Sequence, residues 1–180
     1  MLECWSVLMG VEAYFVSGIQ LVTCRVANDE PVLADDMHVR LLRHVLNQVK
    51  QKQPFQTLAY VFLPTHMHLL LTRGQDMTLD RILYSMRQQF HRGYNELMGA
   101  PRKTRVLIWP HRYQVESISD VATFTQALDF IHYNPVQHGL VERPEEWLHS
   151  SYQTWIERSV YKLGWGWEMP ASVKNLKWER

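Results

Sequence analysis

The amino-acid sequence predicts an α+β fold: one antiparallel sheet with helices packed on it. Three observations point there. Apolar residues alternate between β-prone runs and runs at helical spacing, in the order βαββα followed by another helix. Turn chemistry separates the runs. Hydrophobic residues make up 46% of the 180 positions and charged residues 21%, enough for a core without disulfide help.

Tyr14 to Val26 is rich in β-branched and aromatic residues and reads as a strand, ended by Asn28-Asp29-Glu30-Pro31. Asp36 caps a helix running to about Lys52, with Val39, Leu42, Val45, Leu46 and Val49 on one face. Thr57 to Leu63 reads as a buried strand. Pro64-Thr65 breaks it, and His66 to Thr72 returns as the second arm of a hairpin. Thr78 opens a helix to about Asn95 that aligns Leu79, Ile82, Leu83, Met86 and Phe90. A looser segment with Pro101 and Pro110 follows. Ser119-Asp120 then caps a helix from Val121 to about Tyr133, which Asn134-Pro135 is expected to stop. Residues 1–152 read as one domain. Residues 153–180 read as a tail rich in tryptophan, packed on the domain or lying near its ligand groove.

The composition also excludes some classes. No apolar run approaches the roughly 18–20 residues of a membrane span. Trp5 to Met9 is short, follows Glu3 and lacks a basic leader, so it makes a poor signal peptide. Cys4 and Cys24 form no metal-type pair and no disulfide framework, and the expected location is the cytoplasm. A net charge of +1 does not by itself announce a nucleic-acid partner.

The chemistry-bearing pattern is His66-Met67-His68. On a strand, residues two apart share a face, so both imidazoles can approach one cation while Met67 points into the body. Two ligands do not complete a site, and from the spacing alone the favoured reading is that one or both are merely partly buried or surface histidines.

The surrounding run, Tyr60 to Leu71 (YVFLPTHMHLLL), resembles the signature of HUH single-strand transposases. A second stretch, Asp129 to Val141 (DFIHYNPVQHGLV), with Trp147 and Ser150-Ser151-Tyr152 after it, is similar to the REP-associated tyrosine transposases. Trp109 and Arg112 are similar to the Trp-rich segment that precedes this helix in that family. The resemblance runs from about Tyr14 to Tyr152. It implies an HUH, ferredoxin-like (RRM-like) fold and a metal-dependent, single-tyrosine cleavage and rejoining of DNA. A divalent cation, Mg2+ or Mn2+, on His66 and His68 would polarise the scissile phosphate. A helix tyrosine would then form a 5′-phosphotyrosine link and free a 3′-hydroxyl.

Residue by residue, the resemblance puts the family's tyrosine on Phe130, which has no hydroxyl. An introduced substitution and a natural loss of cleavage are both open. Asn134 lies one helical turn on and becomes the third metal ligand; the competing role is a helix C-cap. Tyr133, rotated away, reads as core, and His132 as exposed or packed elsewhere. His138 is left outside the site.

Single-stranded or hairpin DNA is the implied partner, met by a monomer or a homodimer. The expected contacts are Arg87, Arg92, Lys103, Arg105, Trp109 and Arg112, which combine backbone-seeking cations with a stacking surface. Two rival functions stand beside transposition. One is a non-catalytic hairpin- or single-strand-binding protein on the same fold. The other is a metal-dependent hydrolase activating water at His66 and His68.

Overall fold

Period-two and helical runs together build a four-stranded antiparallel sheet covered by helices on both faces. The computed structural model describes residues 18–74, 77–99, 107–174, 176 and 178. In chain order these are β1 (Ile19–Arg25), α1 (Asp36–Lys52), β2 (Phe55–Phe62), β3 (His66–Arg73), α2 (Leu79–Leu97), β4 (Gln114–Ile118), α3 (Val121–Gln137) and α4 (Tyr152–Glu157). The strand order is β2-β3-β1-β4, so the histidine-bearing strand is central. The predicted α+β architecture is the observed one. The first residues of the expected strand at Tyr14, together with Cys4, Pro101, Lys103 and Arg105, lie outside the described residues.

Alternation along each strand sends side chains to two different cores. Val22, Cys24, Met67, Leu69 and Leu71 pack under α1 and α2, meeting Val39, Leu42, Val45, Ile82, Leu83, Met86 and Phe90. Leu21, Ala59, Val61 and Leu70 face the other way, onto Phe124, Ala127, Leu128, Phe130 and Ile131 of α3. The β2–β3 turn is pinned from both sides, because Val26 N–H donates to Thr65 O at 2.7 Å and Leu33 N–H to Pro64 O at 2.9 Å.

The structure corrects four local expectations. Asp35 rather than Asp36 caps α1, its carboxylate accepting the Met37 N–H at 2.7 Å; Asp36 is already helical. The loose segment after α2 ends in β4, which pairs with β1 at the sheet edge. Its sequence, QVESI, alternates too weakly to announce a strand.

The third correction concerns Asn134-Pro135, which does not stop α3. Proline removes one N–H from the ladder but leaves Asn134 helical, and α3 continues to Gln137. The real stop is His138-Gly139, where Gly139 takes φ +65°. Gly139 N–H donates to Val136 O and Leu140 N–H to Pro135 O, the two bonds of a Schellman ending.

Lastly, the boundary expected between residues 152 and 153 falls inside α4. Trp155 and Tyr161 are buried in the α3-side core, and Trp165 and Trp178 pack against it. Among the described residues, no helix is long and apolar enough to cross a membrane.

Candidate functional site

His66 and His68 emerge on the face of β3 that α3 covers, both fully buried, with ring centroids 5.0 Å apart. Opposite them, α3 presents Phe130, Asn134 and His138, residues four apart that stack along one helix face. The ring of Phe130 lies 4.8 Å from that of His68. At the other end, the His138 ring lies 5.0 Å from that of His66. Helix and strand therefore run past each other with the histidine pair enclosed between them.

Hydroxyl groups orient both imidazoles. Nδ1 of His68 shares a hydrogen bond with Thr23 Oγ1 at 2.8 Å, and Nδ1 of His66 shares one with Thr65 Oγ1 at 3.0 Å. In the tautomer whose Nδ1–H donates to the hydroxyl, the lone pair of each ring sits on Nε2, one of the two nitrogens through which histidine binds a metal. Asn134 has no accessible surface and sits in the last turn of α3, with His138 as the C-cap. The capping role is thereby excluded for Asn134, which lies between Phe130 and His138 in the series that meets the pair. Among the described residues, no three His, Cys, Asp or Glu side chains converge as a metal-binding group. Two imidazoles and an amide oxygen are a donor set that suits a divalent cation.

The expected DNA contacts divide. Arg92 and Arg112 are exposed. Arg87 is buried and donates to His111 O at 3.0 Å, with its guanidinium 5.7 Å from the ring centre of Tyr113. It positions the 110–113 segment from beneath and is not itself presented to a ligand. Trp109 is also a core residue, 1% exposed, its ring tilted against that of Phe90 at 4.4 Å, with its backbone N–H donating to His91 Nε2 at 2.9 Å. An indole so large and apolar gains more from burial than from waiting on the surface. Lys103 and Arg105 lie outside the described residues.

His132 is fully buried, with Nδ1 2.9 Å from the Tyr161 hydroxyl and Nε2 2.8 Å from Ser151 Oγ. Burial pushes its pKa down to about 3, so it is a neutral strut tying α3 to the chain after it. Tyr133 is buried beside Pro144 and Gly166, away from the pair.

Three residues of the site escaped the sequence reading. Thr23 and Arg25 lie directly across from His68 and His66 on β1. Both line a groove of about 530 Å³ that continues over His111, Arg112 and Tyr113. This groove puts two guanidinium groups next to the histidine strand. Strand pairing was needed to see it, since nothing local marks Thr23 or Arg25. His138 was visible as the next member of the Phe130–Asn134 series, had the helix not been ended at Pro135.

A four-stranded antiparallel sheet with a histidine pair on a central strand, faced by this helix stripe, defines the HUH transposase class. The comparisons narrow it further. The chain is 31% identical over 145 residues, 77% of its length and 82% of the relative's, to a REP-associated tyrosine transposase homologue of Haemophilus influenzae. It is 26% identical over 152 residues to the REP-associated tyrosine transposase of Escherichia coli K12, covering 84% and 87% of the two chains. Among solved structures, a REP-associated tyrosine transposase bound to a REP hairpin superposes with a TM-score of 0.73 at 26% identity, over 86% of this chain and 88% of that one. No family model matches the sequence. The chain belongs to the REP-associated tyrosine transposases.

Proposed function

We propose that this chain binds hairpin DNA with a single-stranded flank, holds a divalent cation, Mg2+ or Mn2+, on His66, His68 and Asn134, and does not cut. The observation that carries the reading is the placement of Phe130. Its ring packs 4.8 Å from His68, where the nucleophile must stand, and has no oxygen to offer. The hairpin in the solved relative supports the choice of partner. When bound, the cation supplies Lewis-acid polarisation of a phosphate oxygen.

The chain's own residues do the rest. Thr23 and Thr65 hold the two imidazole rings through their Nδ1 atoms, and Arg25 and Arg112 draw a phosphate chain into the groove beside them. Asn134 faces the pair from α3. Phe130 fills the nucleophile's place with an apolar ring, so no phosphodiester bond is exchanged.

The test is incubation with a REP hairpin bearing a single-stranded flank and Mg2+ or Mn2+, followed by denaturing electrophoresis. The unchanged chain is expected to bind and to give no covalent adduct, and Phe130→Tyr is expected to give one. An adduct from the unchanged chain overturns the cleavage-silent reading. Binding with no adduct from either protein counts against the assignment of Phe130 to the nucleophile position.

A further inference from the structure

On the other side of the histidine strand, α1 carries a basic stripe that the site above does not use. Arg40, Arg43, Asn47 and Lys50 recur every three or four residues, so they align along one face of the helix. Three shallow cavities of about 440, 230 and 370 Å³ adjoin along this face and the edge strand β2. Arg43 lines the first and second, Lys50 lines the second and third, and Arg73 extends the far end. Arg40 and Lys50 are exposed, and among the described residues neither is paired with a carboxylate. The two acids at the near end are engaged elsewhere. Asp36 pairs with His149 at 2.9 Å, and Glu146 accepts the Glu142 and Arg143 amides at 3.1 and 3.2 Å.

We propose that this stripe is a second DNA contact, which grips the sugar–phosphate backbone of the double-stranded stem of the hairpin. The inference rests on the hairpin-binding reading above. A polyanion is the complement of the exposed Arg40 and Lys50, with Arg43 held between them by its bond to Leu148 O at 3.1 Å. The ten helical rises from Arg40 to Lys50 make the stripe about 15 Å long, roughly four base-pair steps of duplex at about 3.4 Å each.

A single strand is the poorer fit, because it needs open aromatic faces on which bases stack. Here Tyr60 and Phe62 stack on each other at 4.8 Å, and Arg43 lies 5.7 and 6.0 Å from their ring centres. Cations without a stacking platform hold backbone and read no sequence. The location also suits a stem. The stripe flanks edge strand β2, where Arg43 meets Tyr60 and Phe62, whereas the Arg25 groove lies on the β1 side of the histidine strand, so a hairpin can be held from both sides of β3.

The test compares three probes: a REP hairpin with its single-stranded flank, the blunt hairpin, and the flank strand alone. The double variant Arg40→Gln/Lys50→Gln changes two exposed side chains, and its urea midpoint serves as the folding control. Binding to both hairpins is expected to weaken roughly tenfold, with the slope of log K against log salt falling by about two, while the flank strand binds as before. Scrambling the stem sequence is expected to leave the loss unchanged. Unaltered hairpin affinity and salt slope in the variant, or an equal loss on all three probes, overturns the stem contact alone. Failure of the unchanged protein to bind any hairpin overturns the stem contact and the hairpin-binding reading together.

Discussion

Successive residues of β3 enter two different chemistries. Met67, Leu69 and Leu71 meet an apolar layer under α1 and α2, whereas His66 and His68 on the reverse face meet α3 amid buried Thr23 and Asn134. The first face gains stability from every side chain it buries. The second gives up part of that gain, because each buried polar group must recover the water it lost through a specific partner. A protein accepts that cost where polar groups have work to do. The site lies on the face that packs less cheaply.

Substitutions on the apolar face are expected to cost the most stability and to leave the site untouched. Phe90→Ala removes a fully buried ring packed against Trp109 and is expected to lose about 3–5 kcal/mol in urea unfolding, with metal binding by the folded fraction unchanged.

His132 sharpens the contrast next. The unfolded chain takes up a proton below its ordinary value of 6.5, while the folded site resists until about 3. The unfolded state therefore binds more protons between those values. His132's effect is absent above about pH 6.5, and stability falls as the pH drops below it, by up to about 1.4 kcal/mol per pH unit. Denaturant titrations at pH 7, 6 and 5 read that slope, and His132→Gln is expected to flatten it. The same variant is expected to lose about 1–3 kcal/mol at pH 7 by disturbing the Ser151 and Tyr161 hydrogen bonds.

Thr23→Val keeps shape and removes the hydroxyl that orients His68. Calorimetric titration with Mn2+ is expected to show affinity reduced about tenfold or more, and stability is expected to fall by about 1–3 kcal/mol because the buried Nδ1 of His68 loses this partner. A variant that binds Mn2+ as tightly as the parent would break the link between β1 and the histidine pair. The smallest effect belongs to Cys24 on the apolar face. Burial pushes its thiol up to about 12, so iodoacetamide is expected to spare it until the chain unfolds, as read by peptide mass mapping.

Much of this division was already legible along the chain. The alternation around His66, Met67 and His68 assigned the two faces, and the apolar stripes of α1 and α2 marked the helices that cover one of them. Phe130 and Asn134 were found through their motif. Arg87 and Trp109 were misread for a shared reason: charge and aromaticity suggest a surface role, and only packing reveals that the one braces a loop and the other fills a core. Pro135 was given the force of a stop signal, although the glycine four residues later supplies the actual helix ending.

The sequence by itself determined the α+β order, the shared face of His66 and His68, and the missing hydroxyl at Phe130, because periodicity and side-chain chemistry are local properties. Tertiary structure alone decided that Thr23 and Arg25 stand across from the pair and that His138 completes the α3 stripe. It also decided that three cavities join along α1. These depend on strand register and on the approach of segments far apart in the chain, and side-chain spacing along one segment carries no information about either.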